Sequence, residues 1–597
     1  MSHLISRRDV NFLLYEWLDV TALTEFDRFS AHSPETFDGL LDLSEQLAEE
    51  FFAPHNRAAD LSEPTFDGER VRIIPEVAEA MRAFADADLL AAPLPQEQGG
   101  FGLPNSVYGA CMAYFGSANA ATAGYGMLTL GNVRLLLAHG SPEQVQRYVQ
   151  PMIAGRFSGT MALSEPDAGS NLADITTRAE PQPDGTYRIF GQKMWISGGD
   201  HEMTENIVHL VLAKIPGGPP GTKGISLFIV PKYLVADDGS IGERNDVVLS
   251  GINHKMGFRG TVNTAPTFGS GAFTPGGVPG AVGYLVGEPH RGLSYMFHMM
   301  NEARISVGMG ATALGYTGYL KSLDYAKERL QGRALGQPAT SAQVPIIDHP
   351  DVRRMLLAQK SYVEGGLALG LYAGRLVDEL DGRRDNGEDV RDLQTLLDVL
   401  TPIAKSWPSQ WCLEANSLAI QVLGGAGYTR DFDVEQHYRD NRLNPIHEGT
   451  HGIQGLDLLG RKILSTQGRG LVLLAGEMAR TAARAQEAGG ESAELGAQLT
   501  AAVTALGEAT TAIGNLPSAE AMMANATAYL EATGHLVVAW LWLEQYLTAA
   551  GKEGDFYDGK RHAARYFYRW ELPRIRPLVE RLAEGDTTYL DMKPEWL

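Results

Sequence analysis

Between Val10 and Ile153 apolar residues recur every three or four positions, as in Leu40, Leu41, Leu43, Leu47 and Phe51 and again in Val77, Met81 and Phe84. That period puts them on one face of successive helices, so the chain is expected to open with an all-helical domain. Pro93, Pro95, Gly99, Gly100 and Gly102 interrupt the pattern and mark one loop between helices. From Gly159 the period falls to two. Tyr187, Ile189 and Gly191 alternate with neighbours of the opposite face, and Asp184-Gly185 stands where a tight hairpin turn belongs. Further strand candidates lie at 207–213, 224–230 and 247–256, separated by Gly/Pro-rich loops at 216–224 and 266–280. Short strands with such loops predict a small antiparallel β-barrel domain. Beyond Arg291 helical spacing returns and runs to the C-terminus, with breaks near 332–345, 382–387 and 468–470. The pattern therefore predicts an α+β protein. An N-terminal helical domain takes 1–158, the β domain 159–290, a helical bundle 291–468 and an additional C-terminal helical domain 469–597.

Composition narrows the function classes. A chain of 597 residues exceeds what one hydrophobic core organises, and 44% hydrophobic with 20% charged residues is globular. Lys plus Arg is 50 against 72 Asp plus Glu, a formal charge of -22, so there is no basic field to hold nucleic acid. A nucleotide cofactor must then be held by local arginines and backbone N–H groups. Cys111 and Cys412 are the two cysteines, which gives no disulfide framework and fits core thiols in a reducing cytoplasm. The longest apolar run, 536–543, is far short of the roughly 20 residues that span a bilayer. Glu16 and Asp19 break the stretch after Arg7 and Arg8, so neither a membrane span nor a signal peptide is expected.

Three stretches can carry chemistry. The first, ALSEPDAGSN at 162–171, ends a strand in a turn rich in hydroxyls and backbone donors; it can bind a heteroaromatic ring or a phosphate, or be only a polar turn. In the second, GQKMWISGG at 191–199, Trp195 stands at a strand end beside Ser197, where its indole can cover a planar cofactor or fill a core. The third spans 421–454. Its glycines admit a phosphate-bearing group, and Glu448 follows on a loop, as a base or as a solvated acid.

In order and approximate spacing the three motifs resemble the acyl-CoA dehydrogenase family over about residues 40–465. Two positions depart from it: Asn171, where the first family signature ends in Asp, and Gln436, where the second has Lys or Arg. The resemblance implies FAD as cofactor, an acyl-CoA thioester as substrate, and dehydrogenation to the trans-2-enoyl-CoA with Glu448 as the base that takes the α proton. It implies that Leu163 and Ser164 bond the flavin pyrimidine edge, that Trp195 and Ser197 flank its ring near N5, and that Met161 and Thr450 also touch the cofactor. Arg329, Gln421, Gly424 and Gly425 would reach the FAD of a neighbouring subunit, which makes a homodimer part of the site. Ser170 would meet the CoA portion, Asn301 and Arg304 stand for the family's Asp-x-x-Arg substrate contact, and His447 and Gly449 lie on the substrate side. Electrons would pass to an electron-transfer flavoprotein, or to oxygen in an acyl-CoA oxidase. The C-terminal extension, the segment between Arg329 and His349 and the run GIQGLDLLGRK resemble the subgroup that includes 3-methylmercaptopropionyl-CoA dehydrogenases and broad-range enzymes.

The implied reaction explains the need for such groups. A proton leaves one carbon and a hydride the next, so base and electron sink must face opposite sides of the substrate. An α C–H is a far weaker acid than a carboxyl of pKa about 4.3. The thioester oxygen must therefore be hydrogen-bonded as it gains charge, each such donor commonly worth about 3 kcal/mol. In the family the donors are the catalytic residue's backbone N–H and a flavin ribityl hydroxyl. Water excluded by the acyl chain should also raise the carboxylate's pKa and strengthen the base. His447 stands where the family has Tyr; it can trim the acyl pocket, adjust Glu448 or be a neutral spacer.

His447-Glu448-Gly449-Thr450-His451 also spells H-E-x-x-H, in which two histidines of one helix face bind zinc in a metalloprotease. Pro445 just ahead, and Gly449 with Thr450 inside, argue against a zinc helix. Gln454 and Asp457 occupy the Gly and His positions of the extended pattern. No metal ligand is expected.

Overall fold

The change of period near Gly159 coincides with the first strand of the main sheet in the computed structural model, which describes residues 3–597 apart from the side chains of 297–301. Ahead of it, β1 (Thr65–Phe66) and β2 (Val71–Arg72) form a small hairpin inside the region expected to be all helical. Two-residue strands are too short to show an alternating pattern. The sheet region then contains β3 (Phe157–Ala162), β4 (Arg178–Pro181), β5 (Tyr187–Gln192), β6 (Ile196–Ser197), β7 (Asn206–Lys214) and β8 (Ile225–Pro231). A separate ribbon of β9 (Tyr233–Val235) and β10 (Ile241–Arg244) follows, and β11 (Val247–Ile252), β12 (Asn263–Phe268) and β13 (Ala281–Leu285) complete the sheet. Its order is β11-β12-β5-β13-β8-β7-β3, with β4 bonded to both β5 and β7, and β6 to β12.

The expectation of a purely antiparallel domain is corrected here. β3 and β7 run parallel from Phe157↔Asn206 to Ala162↔Val211, and β4 meets β7 in parallel at Arg178↔Lys214. A parallel pair needs a long crossover, which the segment carrying β4 to β6 provides; no short-range signal announces it. β8 is buried along its whole length and β7 as far as Ala213, so both read as near-continuous apolar runs rather than alternating ones. Pro266, expected in a loop, lies inside β12 opposite Leu249, where the register with β11 shifts. A bulge of this kind accommodates a residue that cannot donate to the ladder.

Packing divides the chain into two units. One comprises Asp42–Leu103 and Ala118–Ala303 and holds the sheet, whose core includes Ala162, Ile189, Val211, Phe228, Val230 and Phe268. The other comprises Met1–Leu41, Pro104–Ser117 and Arg304–Leu597 and is helical among the described residues. In it the helices Pro350–Asp385 and Arg391–Leu423 pack against each other. The second carries Pro408, which has no N–H for the carbonyl of Ala404. Gly308 of the Gly292–Glu328 helix lies against that carbonyl, where a Cβ would come within 1.8 Å of the oxygen.

The C-terminal extension is part of this helical core. The apolar run 536–543 is buried within the Ala526–Ala549 helix, whose Trp542 donates Nε1–H to the Ser361 carbonyl at 3.0 Å. Truncating a tryptophan buried this way costs about 3–5 kcal/mol. Buried Lys560 pairs with Asp9 and, at 2.9 Å, with Glu364, tying the first helix and the extension to the bundle. Cys111 and Cys412 are buried and form no disulfide. Among the described residues no helix is long and apolar enough to cross a membrane.

Candidate functional site

In the sheet unit, β3 ends at a turn carrying Leu163, Ser164 and Glu165. The buried Glu165 carboxylate accepts from Thr176 N (2.6 Å) and Oγ1 (2.8 Å), Thr177 N (3.0 Å) and Oγ1 (2.5 Å), and Lys193 Nζ (3.0 Å). Burial alone would raise its pKa, but Lys193 and the threonine donors outweigh burial and bring it down to about 2. Lys193 also donates to the Leu163 carbonyl at 2.9 Å; burial lowers its own pKa to about 8 against the pull of Glu165. Met194 N–H takes the Ser164 carbonyl at 3.0 Å, so the first two motifs lie side by side.

This surface has the chemistry to hold an isoalloxazine. Trp195, readable in isolation as a core residue, is 63% exposed and has φ 65°. A left-handed backbone is unusual for an aromatic residue; here it accompanies an indole at the surface. Ser197 Oγ accepts from Asn263 Nδ2 at 3.2 Å, which leaves its own hydrogen free to donate elsewhere. The N–H and Oγ of Ser164 have no protein partner among the described residues, Met161 is half-buried on β3, and Ser170 is exposed on the turn. Unsatisfied donors beside an exposed indole fit the polar edge and flat face of a flavin.

In the helical unit, Glu448 lies on the stretch between the Val434–Asn441 and His451–Leu456 helices. Glu448 has φ 51° and Gly449 φ 87°, consecutive left-handed residues. Their conformation is fixed from several sides. Lys405 Nζ donates to the carbonyls of Asn444 (2.7 Å) and Gly449 (2.9 Å), and Gln454 Nε2 to that of Glu448 (3.0 Å). Thr450 caps the next helix by accepting from Ile453 N–H at 3.4 Å. His447 Nε2 meets Asn444 Oδ1 at 2.9 Å, and burial with nearby Lys405 lowers its pKa to about 3.

Glu448 is an exposed residue whose carboxylate takes no hydrogen bond among the described residues, and the protein packed around it desolvates the carboxyl only in part. That desolvation raises its pKa above the ordinary carboxylate value, while Lys405 and then Arg304 pull the other way. Arg304 is itself buried, with Nη1 2.7 Å from Asp457 Oδ2, so a carboxylate already engages the arginine expected at the substrate. The side chain of Asn301 lies outside the described residues. Arg329 follows the Gly292–Glu328 helix, exposed, and its guanidinium has no partner among the described residues. Gln421, Gly424 and Gly425 are exposed too, with open space where a Cβ on either glycine would stand. Exposed donors and bare backbone of this kind suit a phosphate-bearing group.

The zinc reading fails on geometry: the helix begins at His451, so His447 and His451 do not share a helical face. No group of three or more metal-type ligands occurs among the described residues. The motifs alone missed Lys193, Lys405, Gln454 and Asp457. A charged residue inside an apolar stretch, such as Lys405 after Ile403 and Ala404, is the signal that could have found the charged ones, because a buried charge requires partners.

Comparison with known proteins adds a second line of observation. Residues 35–156, 160–269 and 290–464 match the family models for the N-terminal, middle and C-terminal domains of acyl-CoA dehydrogenase. Residues 474–593 match one described as acetyl-CoA dehydrogenase C-terminal like. The chain is 36% identical to a 3-methylmercaptopropionyl-CoA dehydrogenase of Ruegeria pomeroyi, over 97% of this chain and 98% of that protein. It is 34% identical to the broad-specificity linear acyl-CoA dehydrogenase FadE5 of Mycobacterium tuberculosis, over 99% of each. A similar fold is seen in Caenorhabditis elegans ACDH-11 in complex with C11-CoA, with TM-score 0.73 and 18% identity over 97% of this chain and 94% of that one. A Bacillus anthracis acyl-CoA dehydrogenase complexed with FAD gives TM-score 0.72 and 19% identity over 97% and 93%.

Proposed function

Because the chain belongs to the acyl-CoA dehydrogenase family, we propose that Glu448 removes the α proton of a linear acyl-CoA thioester on the way to the trans-2-enoyl-CoA. The observation that carries this is the bare Glu448 carboxylate: partly desolvated, free of hydrogen bonds among the described residues and mounted on a backbone secured by its neighbours. A base held this way reaches its proton without first breaking a bond of its own.

The family uses FAD, and bound FAD supplies the acceptor for the β hydride. Ser164, Leu163 and Met161 would hold its pyrimidine edge, with Trp195 and Ser197 beside the ring and Thr450 as a further contact. Arg329, Gln421, Gly424 and Gly425, all exposed, would take the phosphates of a neighbouring subunit's cofactor, so a homodimer is part of this reading. On the substrate side we place Ser170, Asn301, Arg304, His447 and Gly449. The substrates named for the two relatives favour 3-methylmercaptopropionyl-CoA or a fatty acyl-CoA. An electron-transfer flavoprotein is the proposed acceptor, and two buried cysteines that form no disulfide favour a cytoplasmic enzyme. The cycle β4-β5-β13-β8-β7, in which each strand bonds the next, supports a small barrel in the sheet domain. Domain boundaries near 158, 290 and 468 complete the reading.

The test is a visible spectrum of the purified protein followed by anaerobic titration with an acyl-CoA panel. Bleaching of the flavin by at least one thioester is expected. An FAD-loaded protein that no thioester bleaches would sink the assignment, and rapid reoxidation by air with peroxide at each turnover would make the enzyme an oxidase.

A further inference from the structure

The loop that carries Glu448 runs against local preference. A left-handed backbone at a residue other than glycine costs on the order of 1–3 kcal/mol and persists only when the surroundings impose it. Two carbonyls of that loop, Asn444 and Gly449, converge on the Nζ of Lys405 at 2.7 and 2.9 Å. Lys405 has no exposed surface and forms no salt bridge among the described residues. Carbonyl dipoles are thus its direct partners. A neutral amide could brace two carbonyls without the several kcal/mol that desolvating an ammonium costs. The charge therefore needs a use, and Glu448 is the acid that acts on it.

We propose that Lys405 is a positioning residue for Glu448: its ammonium clamps the carbonyls of Asn444 and Gly449 and so fixes the loop that carries the base. The inference rests on Glu448 being the base. Two cations act on that carboxylate, Lys405 from the Arg391–Leu423 helix and Arg304 from the Gly292–Glu328 helix. Arg304 is already engaged by Asp457, so Lys405 alone lacks a carboxylate of its own. His447 and His451, on the same loop and the helix after it, are neutral imidazoles, their pKa values lowered by burial to about 3 and about 4. Arg442 acts on His451. Loss of the Lys405 charge should therefore make Glu448 harder to ionise.

Two variants separate clamp from charge. Lys405→Met removes both, whereas Lys405→Gln keeps two N–H donors and removes the charge. Amide exchange of 444–449 in the full-length FAD-loaded protein should quicken at least about tenfold in Lys405→Met, a tenfold opening equilibrium being about 1.4 kcal/mol. It should stay near wild type in Lys405→Gln. Anaerobic bleaching by butyryl-CoA should slow about 100-fold in Lys405→Met, as expected for a base displaced by about an ångström. In both variants the rising limb of the rate against pH should move to higher pH. Folded variants with wild-type exchange, rate and pH limb overturn the proposal. If Lys405→Met does not fold, an unmoved limb in Lys405→Gln overturns it alone. A wild-type protein that no thioester bleaches refutes the base assignment, whereas the exchange measurement still judges the clamp.

Discussion

The sheet unit and the helical unit each contain a buried lysine that donates to a backbone carbonyl of a motif loop carrying a glutamate. In the sheet unit the lysine is Lys193, the carbonyl that of Leu163 and the acid Glu165. In the helical unit they are Lys405, the Gly449 carbonyl and Glu448. Burial lowers both lysines to about pKa 8. The acids diverge completely. Glu165 is saturated by its threonine donors and the ammonium and falls to about 2, whereas the Glu448 carboxylate accepts no hydrogen bond among the described residues and its pKa rises. A carboxylate that spends every lone pair on its own protein fixes structure. One deprived of donors, at the same kind of lysine-held turn, is poised to take a proton.

The largest effect that tests this contrast is chemical. Glu448→Gln should retain FAD and fold yet slow anaerobic flavin reduction by about 10⁴-fold, the upper range for removing a general base. Glu165→Gln should leave the intrinsic reduction rate of the surviving holoenzyme within a few-fold. Comparable losses in the two variants would erase the distinction between a reactive and a structural acid.

Next in size is Lys193→Met, which strands the buried Glu165 charge and should destabilise the sheet unit by about 4 kcal/mol, as breaking a buried pair does. Urea unfolding followed by protection of sheet-unit amides measures it. The pH dependence has a definite sign. Glu165 has a folded pKa near 2 against its ordinary 4.5, so the stability it contributes is present above about 4.5 and is lost as pH falls toward 2. The wild-type advantage over Glu165→Gln should shrink across that interval; a constant gap would mean that the charge of Glu165 contributes nothing.

How far these arrangements were readable from sequence follows from the range of the interactions. The order helices, strands, helices is visible because the period of apolar residues is a local property, and Asp184-Gly185 does join β4 to β5. The parallel pairing of β3 with β7 joins segments across an intervening hairpin, and no local pattern encodes it. Glu448 stood out by its motif. Lys405 did not, because its partners are main-chain carbonyls, which every residue possesses. Trp195 misleads for a related reason: an indole reads as apolar until a positive φ is known to accompany its exposure. Asp457 likewise becomes meaningful only once Arg304 is found beside it.

A smaller effect concerns His447, whose tautomer follows from a chain of amides. Asn416 Nδ2 donates to the Leu314 carbonyl and Asn441 Nδ2 to that of Ala311, which fixes both amides because carbonyls only accept. Asn441 Nδ2 also donates to Asn416 Oδ1, and Asn444 Nδ2 to Asn441 Oδ1, leaving Asn444 Oδ1 toward His447. Neutral His447 must therefore carry its proton on Nε2. His447→Phe should cost about 1–2 kcal/mol by orphaning that oxygen, and His447→Gln, which restores a donor, should recover most of it in urea unfolding. If His447→Tyr leaves chain-length preference and pH profile unchanged, the imidazole is a spacer.

The smallest effect has the most telling sign. The folded pKa of Glu448 is raised, so whatever stability its protonated form contributes is complete below the ordinary 4.5 and is lost as pH rises through the folded value. Above that value the fold carries a partly desolvated charge that glutamine would not impose. Glu448→Gln should therefore match wild type near pH 4 and be slightly more stable at pH 8, by no more than about 0.5 kcal/mol because solvent at the exposed side chain screens the charge. Glu165→Gln should be less stable than wild type at pH 8, since it loses a saturated carboxylate. Thermal unfolding of the two variants at both pH values decides the matter: opposite signs at pH 8 mean that the fold tolerates Glu448 at a loss that only its chemistry explains, and equal signs mean that the two lysine-held acids are alike.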